Sequence, residues 1–211
     1  MEILYFKALD STQTYLIEKL KNKTLNAPIC VICEEQISGI GSRDNQWVGE
    51  KGNFFISIAI SIDALPDDLP LATASIYFSY IMKKLLFNLD KRIWLKWPND
   101  FYVADMKVGG TITHKVDNTL VCGIGINLKD VQKEYASINT NIEPKVLIKH
   151  YIEALQEFPT WKQIFSQYEV EFELSKRFSV HIENKKVSLQ NAILCKDGSL
   201  MIDNKKVYSL R

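Results

Sequence analysis

Between Lys96 and Gly110 the chain reads K-W-P-N-D-F-Y-V-A-D-M-K-V-G-G. Two lysines, an aspartate between them and a glycine pair stand among residues that otherwise read as buried sheet. A lysine held in place can neutralise charge building up on a carboxylate or phosphate. Glycines inside a strand leave room for a ligand or another backbone to come close. The competing reading is a hairpin with solvated lysines and Asn99-Asp100 turn chemistry. Against that, Lys107 runs straight into V-G-G-T-I-T, so its base enters the sheet and its ammonium must face something negative.

Three further stretches carry residues of the same kind. Gln36 to Trp47, Q-I-S-G-I-G-S-R-D-N-Q-W, places glycines where backbone N–H groups can approach an anion. Arg43 adds bidentate donors and Trp47 a flat stacking surface. Read blandly, it is a surface loop. Val121 to Leu128, V-C-G-I-G-I-N-L, puts Gly123 and Gly125 on one face of a strand and Cys122, Ile124 and Ile126 on the other. That bare strip can floor a pocket, or the glycines can mark bulges. Asp10-Ser11-Thr12-Gln13 can bind a polar group or simply cap a helix. Cys30 and Cys33 form a C-x-x-C inside A-P-I-C-V-I-C-E-E. A strand there sends the two thiols to opposite faces, so the reading is buried thiols rather than a redox or metal pair.

These residues need a scaffold. Asp10-Ser11-Thr12 starts a helix that runs to about Lys21. Ile29 to Cys33 reads as a strand, and Glu34 to Asn53 as a long polar loop lacking apolar periodicity. Only Ile40 is apolar within Ser38 to Gln46, so this loop is expected to be mobile. Phe54 to Ile62 alternates as a strand, and Leu71 to Leu89 follows a helical pattern. Four short strands come next, Arg92 to Trp97, Phe101 to Val103, Val108 to His114 and Thr119 to Asn127, as an antiparallel meander. Helices follow over Pro144 to Phe158 and Trp161 to about Phe178. From Ser179 the texture changes to five short strands with K-D-G and D-N-K turns, read as a small β-barrel. The expected organisation is an α+β domain over 1–178 and a small all-β unit over 179–211.

With 211 residues, 46% hydrophobic and 24% charged, a sizeable core can be buried. A net charge of +1 creates no field favouring nucleic acid or an anionic membrane. The opening Met1-Glu2-Ile3-Leu4 has no signal-type region, and no apolar run reaches the roughly 20 residues of a bilayer span. A soluble cytoplasmic protein is expected.

Taken singly each stretch is ambiguous; their order and spacing are not. D-S-T, then Q-x-x-G-x-G-(x)5-W, then K-W-P-N-D-(x)6-K-(x)2-G, then G-I-G-I-N resembles the biotin protein ligases. The motifs cover Asp10 to Asn127, and the layout matches to the C-terminus. The resemblance implies an α+β fold with a mixed, largely antiparallel sheet and helices, followed by a small SH3-like β-barrel, in the short form without a DNA-binding domain. It implies that biotin and ATP, with Mg2+ carried by the nucleotide, give biotinyl-5′-AMP. A lysine of a biotin carboxyl carrier protein of acetyl-CoA carboxylase then takes the biotinyl group. No nucleic acid or membrane partner is implied, and a homodimer is compatible.

Residue by residue, the resemblance assigns Lys107, Asp100 and Arg43 to catalysis. It assigns Ser11, Thr12, Gln13, Gln36, Gly39, Ile40, Lys107, Gly110, Gly123 and Gly125 to biotin. It assigns Gly41, Ser42, Arg43, Trp47, Asn99, Lys107 and Asn127 to ATP and the adenylate. No residue is assigned to a resident metal. The chain departs from the family's G-R-G-R-x-G-R-x-W loop: Ile40, Ser42 and Asn45 hold the arginine positions, and Arg43 lies one place beyond Ser42. Retention of the adenylate is where this departure bears. Gln13 stands where asparagine is common, and His114 where glutamate is. Two other readings compete: a lipoate or octanoate ligase or transferase of the same fold, which usually lacks K-W-P-N-D, and a non-catalytic biotin-binding regulator.

Overall fold

A computed structural model describes residues 1–41, 46–129, 136–182 and 185–208. Its frame is an eight-stranded sheet: β1 (Glu2–Leu9), β2 (Ile29–Ile40), β3 (Gln46–Gly49), β4 (Phe54–Ser61), β5 (Ile93–Lys96), β6 (Asp100–Val103), β7 (Met106–Val116) and β8 (Thr119–Ile126). The strand order is β1-β2-β4-β8-β7-β6-β5, with β3 paired to β2. Only β1 and β2 run parallel, because helix α1 (Thr12–Lys21) carries the chain back between them. The expected four-stranded meander is β5 to β8, and all its pairs are antiparallel.

Strand parity decides which side chains meet which helices. Ile56, Ile58, Ile60, Cys122, Ile124 and Ile126 point into the main core, beneath α2 (Ala74–Leu86), α3 (Pro144–Gln156) and α4 (Trp161–Phe172). Leu16 of α1 packs with Ile29, Val31, Ala59 and Val121 on the opposite face. Ser11 caps α1, its Oγ accepting the Thr14 N–H at 3.3 Å. Lys19 and Lys21 sit in the last turn, where the helix dipole favours cations. α4 starts with a reciprocal Thr160–Gln163 capping box.

The β5 edge of the sheet is closed by side chains. Leu95 N–H donates to Glu171 Oε1 at 2.6 Å and Trp97 N–H to Ser175 Oγ at 3.0 Å. The other Glu171 oxygen is paired with the buried Lys83 ammonium. Cys30 and Cys33 are free and buried in β2. Burial pushes the Cys33 thiol up to about 12 and Cys30 higher still, which fits the reading as inert thiols.

One expectation is corrected and one is made more specific. The stretch 34–53 is not a featureless loop: β2 continues to Ile40, and β3 pairs back onto it. This pairing is a backbone matter that apolar periodicity does not register. The C-terminal strands β9 (Ser179–Ile182), β10 (Lys185–Ser188), β11 (Ile193–Leu194), β12 (Leu200–Ile202) and β13 (Lys205–Val207) form two separate sheets, β9-β10 and β11-β12-β13. Among the described residues they close no barrel. Val180, Leu189, Ala192, Leu200 and Ile202 instead join the main core.

Candidate active site

The pocket opens where the N-terminal turn of α1 meets the glycine-bearing middle of the sheet. β8 places Gly123 opposite Ser57 of β4 and Ile112 of β7, and Gly125 opposite Phe55 and Gly110. A Cβ on Gly123 would stand 2.6 Å from Gln13 Oε1, and one on Gly125 would stand 3.0 Å from the Trp47 indole. The glycines therefore keep a floor clear beneath these two side chains. The cavity holds about 470 Å3 including its mouth. Ser11, Thr12, Gln13, Gln36, Ile40, Gly41, Trp47, Asn99, Asp100, Lys107, Gly110, Gly123 and Gly125 all line it.

One wall is a hydrogen-bond network. Gln36 Oε1 accepts from the Thr12 N–H at 2.9 Å and the Thr12 hydroxyl at 3.1 Å. The Ser57 hydroxyl lies 3.0 Å from both Thr12 Oγ1 and Gln13 Oε1, and Gln13 Nε2 donates to Val121 O at 3.4 Å. The Thr12 and Ser57 hydroxyls bring two protons to a cluster of four oxygens. A ligand that brings N–H donors would complete such a wall.

The other wall is charged. β6 and β7 set Asp100 opposite Gly110 and Tyr102 opposite Lys107, with a register shift between Phe101 and Tyr102. Lys107 Nζ lies 2.6 Å from Asp100 Oδ1 and 6.0 Å from the centre of a Trp47 ring. The lysine side chain is 40% exposed and the aspartate 14%: the carboxylate is fixed in the wall while the ammonium reaches the opening. Burial, with the Asp100 charge added, pushes the neighbouring Tyr102 phenol up to about 12. Among the described residues, Trp47 Nε1 and Asn99 Oδ1 are buried without a hydrogen-bond partner. Asn99 Nδ2 is committed to Thr111 O, which leaves the amide oxygen to be satisfied from elsewhere.

Several assigned residues sit differently. Gly39 does not line the cavity; its missing side chain lets β3 approach, since a Cβ would stand 2.6 Å from Trp47 O. Asn127 does not line the cavity either; its Nδ2 donates to Ala136 O at 3.2 Å. Lys96 is turned aside: its ammonium bonds the Tyr102 hydroxyl at 3.4 Å and lies over the Tyr102 and Phe178 rings. His114 is exposed on β7, away from the cavity. Ser42 and Arg43 fall outside the described residues. Sequence reasoning missed Ser57, Thr111 and Ile112. Ser57 stands out only once register places it opposite Gly123.

The profile of the biotin/lipoate A/B protein ligase family matches residues 5–129. The bifunctional ligase/repressor BirA of Escherichia coli is 28% identical over 138 residues, covering 62% of this chain and 42% of BirA. The biotin–[acetyl-CoA-carboxylase] ligase of Paracoccus denitrificans is 29% identical over 114 residues, covering 49% of this chain and 46% of that protein. The chain thus matches less than half the length of these curated relatives. A crystal structure of the biotin acetyl coenzyme A carboxylase synthetase of Helicobacter pylori, described with bound biotinylated ATP, superposes with a TM-score of 0.93. Its identity is 38%, and the match covers 98% of this chain and 99% of that one.

Proposed function

Since the chain belongs to the biotin/lipoate A/B protein ligase family, we propose that it activates biotin with ATP and transfers it to a protein lysine. The observation that carries this reading is the Lys107 ammonium, held by Asp100 at the mouth of a glycine-floored pocket. In the first step an oxygen of the biotin carboxylate bonds to the α-phosphorus. The bond from that phosphorus to the bridging oxygen breaks, and pyrophosphate departs with the electron pair. Two anions must meet, and Lys107 supplies the positive charge where they do. Asp100 aims the ammonium. In the second step an unprotonated acceptor amine attacks the carbonyl carbon of the mixed anhydride. AMP leaves with the electrons of the broken carbon–oxygen bond, and the nitrogen gives up a proton.

Biotin's ring carries two N–H donors and a carbonyl acceptor. The Ser11, Thr12, Gln13 and Gln36 wall, joined by Ser57, offers the complementary set. Trp47 is the adenine platform and Asn99 a polar contact to the nucleotide. Mg2+ enters with ATP; the chain's own part is to bring the two anions together and offset their repulsion. The acceptor is a biotin carboxyl carrier domain, the setting the cytoplasm, and residues 179–211 a small C-terminal unit, packed on the main core, that supports ATP and acceptor binding. No helix among the described residues is long and apolar enough to cross a membrane.

Isothermal titration with biotin, alone and then with MgATP, tests the reading. Biotin binding with ATP-dependent pyrophosphate release is expected. Binding without release would point to a regulator. Turnover of lipoate or octanoate without biotin binding would move the chain to the other branch of the family.

A further inference from the structure

We infer that the Lys196–Gly198 turn of the C-terminal sheet is a positioning element for the active-site turn, acting through Trp97. The inference rests on the reading above for its activity readout. Trp97 is 2% exposed and is held at two points from the C-terminal side. Its backbone N–H donates to Ser175 Oγ at 3.0 Å and its indole N–H to Gly198 O at 2.9 Å. The turn that offers this carbonyl is stiff. Gly198 N–H closes on Cys195 O and Cys195 N–H on Ser199 O, both at 2.8 Å. Asp197 accepts from the Ser199 N–H and hydroxyl and pairs with Lys206. Gly198 has φ +77°, and a Cβ there would stand 2.8 Å from Thr73 Cγ2, so the turn sits flush against the α2 side of the core.

On its other side Trp97 leads within three residues to the reacting groups. Asn99 is locked to Thr111 in both directions, its Nδ2 donating to Thr111 O and its O accepting the Thr111 N–H at 2.9 Å. Asp100 then grips Lys107 at 2.6 Å. From Gly198 O to Lys107 Nζ the path is continuous, through one indole, three peptide units and one ion pair. Only its last link, the Lys107 ammonium, reaches the opening of the pocket.

The same turn supplies an internal control. Trp161 Nε1–H donates to Lys196 O at 2.8 Å, an equivalent bond to the same turn from a helix that carries no pocket residue. Trp97→Phe and Trp161→Phe therefore remove matched hydrogen bonds, and only the first lies on the path to Asp100. Trp97→Phe should slow biotin-dependent pyrophosphate release about tenfold, as expected for sub-ångström misplacement of a reacting group. Its biotin dissociation constant should stay within about twofold. Trp161→Phe should lower the melting temperature by a similar amount and leave the rate within about twofold. Gly198→Ala, which displaces the same carbonyl from the turn, should reproduce Trp97→Phe.

A second readout needs no turnover. In protein carrying 13C-dimethylated lysines, the Lys107 signal, identified by its loss in Lys107→Arg, should shift in Trp97→Phe and stay put in Trp161→Phe. Equal slowing by the two variants, or a Lys107 signal blind to both, would overturn the inference. If the wild-type chain releases no pyrophosphate with biotin, the functional reading falls instead, and the Lys107 signal alone decides this one.

Discussion

Gly123→Ala puts one methyl group into the pocket floor, and its consequences can be worked through. The new Cβ would stand 2.6 Å from Gln13 Oε1, 3.2 Å from Gln13 Cδ and 3.3 Å from Ile112 Cγ1. Backbone does not block it, so the Gln13 amide must swing away. Gln13 is 6% exposed and would lose the bond from Ser57 at 3.0 Å and its own to Val121 O at 3.4 Å. At about 0.5–1.5 kcal/mol each, that is roughly 1–3 kcal/mol. Replacing a strand glycine by alanine returns about 0.5–1 kcal/mol. The net loss, about 0–2.5 kcal/mol, lowers the melting temperature of a chain this size by at most about 10 °C. Ligand binding should suffer more, because the displaced amide also belongs to the proposed biotin wall. Loss of a buried hydrogen-bonding pair, about 1–3 kcal/mol, corresponds to roughly a five- to 150-fold weaker dissociation constant. Titration calorimetry on folded protein measures this directly. A folded Gly123→Ala variant that binds biotin like the parent would show that Gln13 and the floor do not contact the ligand. Gly109→Ala is the contrast. Its Cβ would stand 2.6 Å from the backbone oxygen of Gly125, so it should destabilise the sheet itself, seen as a lower urea midpoint than Gly123→Ala gives.

Lys107→Ala should cut pyrophosphate release by about 10^2–10^3-fold with an unchanged urea midpoint; retained activity would refute the role assigned to the ammonium. Trp47→Ala should raise the ATP concentration at half-maximal rate by about five- to 150-fold, the range of one lost base–aromatic stack, and leave the biotin dependence nearly unmoved. Equal shifts for both substrates would remove Trp47 from the nucleotide. Glu171→Ala strands the Lys83 ammonium, whose side chain is 10% exposed, and frees the Leu95 N–H. It should cost about 3–5 kcal/mol in a denaturant melt, and a loss under about 1 kcal/mol would mean the pair does not seal the β5 edge.

What could be read before any coordinates was whatever strand parity controls. Once Val121 to Leu128 is a strand, Gly123 and Gly125 must share a face, and so they do beneath Gln13 and Trp47. The same parity keeps Cys30 and Cys33 apart. The Asp100–Lys107 pair came only from the family resemblance, since the register shift between Phe101 and Tyr102 that brings them together has no trace in the sequence. The β3 pairing was not legible, since β3 is held by backbone pairing to β2 and by Trp47 lying over Gly125 of β8. Neither leaves a periodic trace. Ser57 was hidden for a related reason: a small residue in an alternating strand looks like filler until register sets it opposite Gly123. Lys96, in the same motif, is turned aside, its ammonium lying over the Tyr102 and Phe178 rings. The C-terminal strands give their apolar residues to the main core, which their short runs do not announce.

The bare floor has one more consequence. Gly110, Gly123 and Gly125 occupy the middle of the sheet, where a protein of this size would ordinarily place large side chains. The cavity is thus a section of interior the polypeptide does not fill, and the guest molecule stands in for absent methyl and methylene groups. Folding and occupancy become parts of the same packing problem: a tenfold excess over the dissociation constant adds about 1.4 kcal/mol to the folded state. Heat or denaturant would then read out the guest as if it were one more residue of the chain.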